Sequence, residues 1–193
     1  MKQLLTLLCW VAVLTGTSAQ TKKGSIVSFH ILGAQNTELQ ALSRKDKAAF
    51  DERIIKETST YLKEEFALDT IFMGPEVNVK IKTDINRLSG VKRLSGKEKD
   101  AIAGGDLVFK IKCDIAFDQT TAGYIVGTPT SRAALYITIG VFDAQGNFLY
   151  QYKGKNKSDF VAIGKESVAM QSMSVTDFGL GYQQTLETLE KEE

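Results

Sequence analysis

The sequence predicts an α+β fold in which a single mixed, largely antiparallel sheet of about five strands carries its helices on one face. Three observations predict this fold. Short segments of alternating apolar and polar residues, typical of half-buried strands, recur along the chain. A long segment with apolar residues at helical spacing follows the first strand, and an amphipathic segment lies at the carboxyl end. A short middle helix completes the prediction.

Residues 1–19 predict a cleavable secretory signal peptide. Lys2 precedes an apolar run from Leu4 to Leu14, and small residues follow that run. We therefore expect cleavage between Ala19 and Gln20. The apolar run is too short to span a bilayer, which needs ~20 residues.

After cleavage, residues 20–24 are a linker and residues 25–193 a single α/β domain, exported to the periplasm, the cell surface or the extracellular medium. Lipid attachment at Cys9 is disfavoured, because Leu8 precedes it and little apolar leader would remain. One of the 24 Lys and Arg residues leaves with the leader, which balances the 23 acids. Such a neutral chain favours neither nucleic-acid binding nor attachment to anionic lipid.

The first strand is predicted over Ser25 to Leu32, which is rich in β-branched and aromatic residues. Gly33 to Leu42 is predicted as a loop. Ser43 stands three residues before Asp46, as at the amino-terminal cap of a helix. The long helix is then predicted over Lys45 to Leu68.

The next two elements are shorter. Gly74-Pro75 closes the preceding segment, and strict alternation from Glu76 to Ile85 predicts a second strand. Ser95 is placed to cap a short helix over Lys97 to Ala103, which ends at Gly104.

The clearest strand is predicted over Leu107 to Phe117. Asp118 to Arg132 is predicted as a loop around the apolar island Tyr124 to Val126, with an edge strand there left open. Ala134 to Phe142 and Phe148 to Lys153 then form an antiparallel hairpin.

The last part of the chain has a weaker pattern. Gly154 to Met173 is predicted as irregular, with its order left open. Val175 to Leu189 predicts an amphipathic helix, in which Gly179 and Gly181 serve close packing or a local break. The acidic end, Glu190 to Glu193, opposes the helix dipole and is expected to fray.

Residue types that carry catalysis are scarce. His30 is the one histidine, and its position between apolar strand neighbours favours a structural role over that of a general base. Cys113 alternates with apolar residues and is interpreted as a core residue without a disulfide partner. Asp143 to Asn147 is interpreted as a turn, because the closing glutamate of a calcium loop is missing. We expect no catalytic, cofactor-binding or metal-binding residues.

Two short segments resemble a known group of proteins. Asp106-Leu107-Val108-Phe109 follows a short helix and small residues, and Val141 to Asn147 is a strand ending in Asp and a Gly turn. In this pattern, and in element order, the chain resembles the periplasmic α/β domains typified by the curli-secretion protein CsgG, the lipoprotein activator LpoB and the amino-terminal domain of TolB. The resemblance implies a domain that docks on envelope partners or assembles, and no functional residue transfers with it. The chain differs from that group in lacking a lipidated cysteine and in its segment from Gly154 to Met173.

Three functional hypotheses remain open from the sequence. The first is a non-catalytic accessory protein of the cell envelope that binds an unidentified protein partner, with neither nucleic-acid binding nor stable membrane insertion. Its sheet would present a polar face with four lysines: Lys80, Lys82, Lys110 and Lys112. The second is a secreted small-ligand or lipid-binding module using six aromatic residues: Tyr124, Tyr136, Phe142, Phe148, Tyr150 and Tyr152. The third is an envelope hydrolase that depends on a pair of carboxylates.

Overall fold

The computed structural model describes residues 21–34, 37–74, 77–83, 90–120, 130–157 and 173–192. Within them lie seven strands: β1 (Lys23–Leu32), β2 (Thr70–Met73), β3 (Val79–Ile81), β4 (Leu107–Thr120), β5 (Thr130–Asp143), β6 (Phe148–Lys157) and β7 (Glu190–Glu192). The α-helices are α1 (Arg44–Phe66), α2 (Gly96–Asp100) and α3 (Val175–Leu186), and Glu38–Gln40 forms a 3-10 turn. This is the predicted α+β fold with one mixed sheet. The predicted leader, the site between Ala19 and Gln20, and the island from Tyr124 to Val126 lie outside the described residues.

The sheet is ordered β2-β1-β4-β5-β6-β7, and β3 also pairs with β1. β1 runs parallel to β2, β3 and β4, whereas the pairs from β4 through β7 are antiparallel. β2 and β3 follow one another along the same edge of β1, the first pairing with Lys23 to Ile26 and the second with Phe29 to Ile31. The first strand of the chain is therefore interior to the sheet, and its own connections are parallel.

Local hydrogen bonds stabilise both ends of the long helix α1. The Ser43 hydroxyl accepts the Asp46 backbone N–H at 3.2 Å, as its spacing predicts. Ala67, which follows the helix, adopts a left-handed conformation (φ 49°), and its N–H bonds to the Lys63 carbonyl. Between these ends, the buried side chains fall on one stripe: Phe50, Ile54, Thr58, Leu62 and Phe66.

The second long helix, α3, packs beside α1 on the same sheet face. The Ser174 hydroxyl caps it by accepting the Asp177 N–H at 3.0 Å. A Cβ atom at Gly179 would lie 2.9 Å from the Arg53 guanidinium, and one at Gly181 would lie 2.8 Å from Leu135. Gly181 therefore serves close packing, one of the two roles predicted for the pair, whereas Gly179 faces the tip of a half-exposed arginine side chain that can move away.

The main core fills the space between the sheet and these two helices. Phe29 and Tyr182 are almost completely buried, with ring centroids 6.1 Å apart. Phe66 and Phe109 approach to 5.0 Å. Burying one such side chain stabilises a fold by roughly 1.5–3 kcal/mol, so this layer dominates the stability of the domain.

A second, smaller core lies on the opposite face of the sheet. Val27, Val108 and Phe142 are buried there, and Leu94 and Ile102 from either side of α2 pack on them. A β-bulge at Val27 in β1 lets the consecutive residues Val27 and Ser28 share this face. The segment around α2 thus covers one end of the face that carries neither α1 nor α3.

Several segments differ from their predictions. β2 and β7 are additional short strands, and the described residues of the alternating segment after Gly74 form the short strand β3. β6 continues to Lys157, into the segment predicted as irregular, because its pairing with β5 extends to Ala134. The acidic end expected to fray instead forms β7, because its backbone pairs with β6.

Candidate functional site

The sheet face opposite α1 and α3 carries a stripe of polar and basic side chains. His30 on β1 is in register with Lys80 on β3 and with Lys112 on β4. The row continues through Thr138 on β5 to Lys153 on β6. Because residues paired across a sheet share a face roughly 5 Å apart, these side chains form one stripe across five strands.

We call this surface the lysine face. It is defined by five residues: Lys80, Lys82, Lys112, Lys153 and Lys155. Lys82 and Lys155 each lie two positions along the chain from a member of the stripe and therefore share its side of the sheet. The Lys155 ammonium also lies 4.7 Å from the centroid of the Tyr136 ring, a cation–π contact that orients it along the face.

Within its described residues, the lysine face also carries acidic side chains, but these are fewer than the lysines. Asp114 pairs with Lys112 at 2.9 Å. Glu192 of β7 pairs with Lys153, and Glu190 lies opposite the same lysine in the register. Five lysines against these three acids leave an excess of positive charge.

Lys110 does not belong to the lysine face, and its prediction as a solvent-facing residue is wrong. Its exposed fraction is only 4%. The ammonium donates to Glu98 Oε2 at 3.0 Å and to the Arg93 carbonyl at 3.0 Å. The cause is the segment around α2, which covers this end of the face and supplies the partly buried Glu98 carboxylate.

Glu98 is held in place by the start of α2. The Ser95 hydroxyl accepts the Glu98 N–H, and Glu98 Oε2 accepts the Ser95 N–H at 2.7 Å, which together form a capping box. The same carboxylate accepts from the Lys110 ammonium at 3.0 Å, and the nearby Ser28 hydroxyl also lowers its pKa. Ser28 Oγ in turn lies 3.2 Å from His30 Nδ1. The sequence predicts the Ser95 cap, but not that this cap places Glu98 beside Lys110.

Glu98 is ionised at neutral pH. Burial raises its pKa, but the hydrogen bonds from Ser95, Lys110 and Ser28 and the charge of Lys110 outweigh burial and leave the pKa below its usual value. Ser28 Oγ and His30 Nδ1 share one hydrogen bond, in which either atom can be the donor, depending on the tautomer of the imidazole.

His30 is neutral at physiological pH. Burial is the main cause that lowers its pKa to about 4, and the charges of Lys80 and Lys82 lower it further. Glu98 acts in the opposite sense but does not compensate. His30, predicted as structural, is thus kept neutral mainly by its burial, and the lysines near it add to that effect.

Cys113 faces the other side of the sheet. Its side chain is fully buried among the main core residues, as predicted. Burial raises the pKa of its thiol far above the usual range, with a further increase from Asp114. The thiolate form that reacts with oxidants and electrophiles is therefore not populated.

The aromatic residues of the ligand-binding hypothesis do not line one cavity. Tyr136 lies on the lysine face, whereas Tyr152 lies on the helix side, where it contacts Phe66 and donates to Glu65 at 2.9 Å. Phe142 and Phe148 contact each other edge-on in the smaller core. Tyr124 lies outside the described residues. The described aromatics are thus divided between the two faces of the sheet.

Two grooves follow the helices. One, of about 240 Å³, is lined mainly by apolar residues of α1 and α3, with Phe50 and Ile54 among them. The other, of about 430 Å³, carries Glu57, Glu64 and Glu187 together with Arg53. Glu57 is bound to Arg53 at 2.9 Å. Mixed charges at this spacing are typical of a solvated helix surface.

None of the described helices combines the length and the apolar character needed to cross a membrane. Within the described residues, no three His, Cys, Asp or Glu side chains cluster closely enough to hold a metal ion.

Comparison of the sequence with protein-family models and with curated proteins gives no match. Among solved structures, the chain is similar to a neuraminyllactose-binding hemagglutinin homolog from Helicobacter pylori, with a TM-score of 0.43 and 8% identity over 88% of this chain and 83% of the other. It is also similar to the hypothetical protein CT253 from Chlamydia trachomatis, with a TM-score of 0.37 and 15% identity over 86% of this chain and 92% of the other. Similarity at this level does not identify a function.

Proposed function

We propose that this protein is an exported, non-catalytic accessory protein of the cell envelope, which docks an acidic protein partner on the lysine face. The observation that carries the proposal is the stripe through Lys80, His30 and Lys112 on the sheet face that α1 and α3 leave uncovered. Charge complementarity of this kind selects partners and accelerates their association.

Two further observations support docking over chemistry or ligand storage. The interior between sheet and helices is filled by contacting rings, such as Phe178 stacked on Tyr182 at 5.9 Å. The Glu98 carboxylate is held by the Ser95 N–H and the Lys110 ammonium, which is typical of a fixed charge network. The pattern of the leader supports an envelope location, since its basic start, apolar run and small residues are those of a signal peptide.

The test is affinity capture of partners from the native envelope fraction by the mature protein, followed by mass spectrometry. Lys80→Glu with Lys82→Glu reverses two exposed charges on the lysine face. Lys45→Glu with Lys63→Glu is the matched control, because it makes the same charge change on exposed positions of α1. We expect the first variant to lose an acidic partner at least about tenfold and the control to retain it.

A partner that binds both variants equally would refute docking on the lysine face. Binding should also weaken as salt increases, because the charges concerned are exposed. Amino-terminal sequencing of the native protein tests export separately: a mature protein beginning at Gln20 is expected, and one beginning at Met1 would contradict it.

A further inference from the structure

The outer face of α3 carries almost no charge. Asp177 is the one charged residue within α3, all of whose residues are described, whereas α1 carries charged residues along its whole length. From Leu180 to Leu186, the exposed residues of α3 are Leu180, Gln183 and Gln184. A helix face in contact with water is normally charged or polar, and depletion of charge is typical of the core of a protein interface. The outer face of α3 therefore has the composition of a contact surface.

Leu180 projects from this face. Its exposed fraction is 52%, and among the described residues only Leu149, at 45%, is another exposed large apolar residue. Each residue of an α-helix advances by about 100° around the axis. Leu180 thus lies on the side of α3 opposite Phe178 and Tyr182, which are buried in the main core. Its side chain points away from the sheet.

An apolar groove lies beside Leu180, between α1 and α3. Its volume is about 240 Å³, and Gly179, the residue before Leu180, forms part of its wall. A cavity of about 150 Å³ holds a benzene molecule, so this groove accommodates a leucine side chain. The charged residues in its lining are Asp46 and Arg53, which have opposite signs. The groove therefore has no net charge.

Leu180 and the apolar groove are a projection and a recess on the same face of the molecule. Because the two lie side by side, a twofold axis between them seats the Leu180 of each copy in the groove of the other. Such a contact is isologous and closes after two copies. The neutral groove and the uncharged part of α3 allow two identical surfaces to approach without repulsion, and they offer no net charge to attract an acidic or basic partner.

We infer that the protein forms a dimer through α3, in which Leu180 of each copy packs into the apolar groove of the other. With 12 residues, α3 is about 18 Å long. The contact is therefore smaller than the roughly 800 Å² per copy that is usual in stable complexes, and we expect dissociation in the micromolar range.

The dimer goes beyond the proposed function and does not depend on it. α3 and the lysine face lie on opposite sides of the sheet, so the dimer presents two lysine faces, both turned outward. Two linked binding surfaces hold a partner that offers several acidic sites more tightly than one surface does.

Sedimentation velocity of the mature full-length protein over a range of concentrations measures the dimer. Leu180→Ser removes the projection, and Ala49→Phe fills the groove from an exposed position of α1. Leu149→Ser is the matched control, because it removes the other exposed leucine, which lies on β6 rather than on a helix. All three positions are exposed, and circular dichroism checks that each variant is folded.

Leu180→Ser and Ala49→Phe should each raise the dimer dissociation constant at least about tenfold, because each removes both leucine contacts. The Leu149→Ser control is expected to match the wild type. Mixing the first two variants restores one contact, since the Leu180 that one retains fits the groove that the other retains. With one variant fluorescently labelled, the mixed dimer is expected to be at least about threefold tighter than the dimer of either variant alone.

A wild type that stays monomeric up to millimolar concentration would overturn the inference, as would dimers that neither substitution weakens. A mixed dimer no tighter than those of the separate variants would also overturn it, because Leu180 would then not occupy the groove. The proposed function fails separately. Lys80→Glu with Lys82→Glu is expected to leave the dimer unchanged, and monomeric Leu180→Ser is expected to retain the acidic partner in affinity capture.

Discussion

Replacing Lys110 by Met tests the buried charge pair beneath α2. The side chain of Lys110 is 5% exposed and that of Glu98 13%, and their charged atoms lie 3.0 Å apart. Removing one member of such a pair leaves a buried charge and costs ~3–5 kcal/mol. Because Glu98 retains its bonds from Ser95 and Ser28, we expect a loss of about 3 kcal/mol in the free energy of unfolding.

The loss should depend on pH with a defined sign. In the wild type the pKa of Glu98 is lowered, so its stabilising contribution is present above the unfolded-state pKa and lost as pH falls through the folded-state pKa. Without Lys110, its hydrogen bond and its charge no longer lower the pKa of Glu98, so the pKa rises relative to the wild type and the ionised form becomes less favourable. The loss of unfolding free energy caused by Lys110→Met should therefore be largest near about pH 7. It should become smaller towards about pH 4, as Glu98 becomes protonated and no longer needs a cation.

Urea unfolding followed by circular dichroism at both pH values measures this difference. Lys112→Met is the matched control, because Lys112 pairs with Asp114 on the same strand and both side chains are more exposed, at 23% and 20%. We expect the control to cost less than about 1 kcal/mol. A Lys110→Met deficit no larger than that of the control, or one that does not change with pH, would refute the argument for a buried pair.

Three further predictions concern the core and the lysine face. In NMR titration His30, the one histidine, should show a pKa of about 4, and Lys80→Gln should raise it only partway, since burial is the larger cause. Thr58 Oγ1 donates to the Ile54 carbonyl at 2.6 Å, so it must accept from the Tyr182 hydroxyl at 2.8 Å. In chemical denaturation, Thr58→Val should lower the free energy of unfolding by about 2 kcal/mol and Tyr182→Phe by about 1 kcal/mol. The double variant should lose less than the sum of the two, because both substitutions remove the same hydrogen bond. Gly140→Ala should lower the free energy of unfolding, measured by thermal denaturation, by at least about 2 kcal/mol, because the new Cβ would collide with the backbone carbonyl of the buried residue Val91.

Local signals explain why much of the fold could be predicted. Alternation from Leu107 onward and helical spacing after Ser43 each reflect one buried face, and caps such as Ser95 are read within three or four residues. β2 and β7 escaped prediction because their pairing partners lie far along the chain, and short segments carry little periodicity of their own.

The candidate site was predictable only in part. The alternation that buries Phe109 also sends Lys112 to the opposite face, so a basic sheet face follows from the sequence. Lys110 obeys the same alternation, yet it is buried, because cover by Glu98 depends on how the segment around α2 folds back. The acidic residues of β7 could not be related to the lysine face from the sequence, because only the pairing of β7 with β6 places them beside Lys153.

The interior position of β1 also sets an order of assembly. The first strand is flanked by partners synthesised later, as the bond between the Lys23 N–H and the Asp106 carboxylate, 83 residues apart, illustrates. Long-range parallel pairing forms slowly, because the intervening chain must be closed before any contact is gained. We therefore expect a nascent chain of this topology to stay open while its first half emerges.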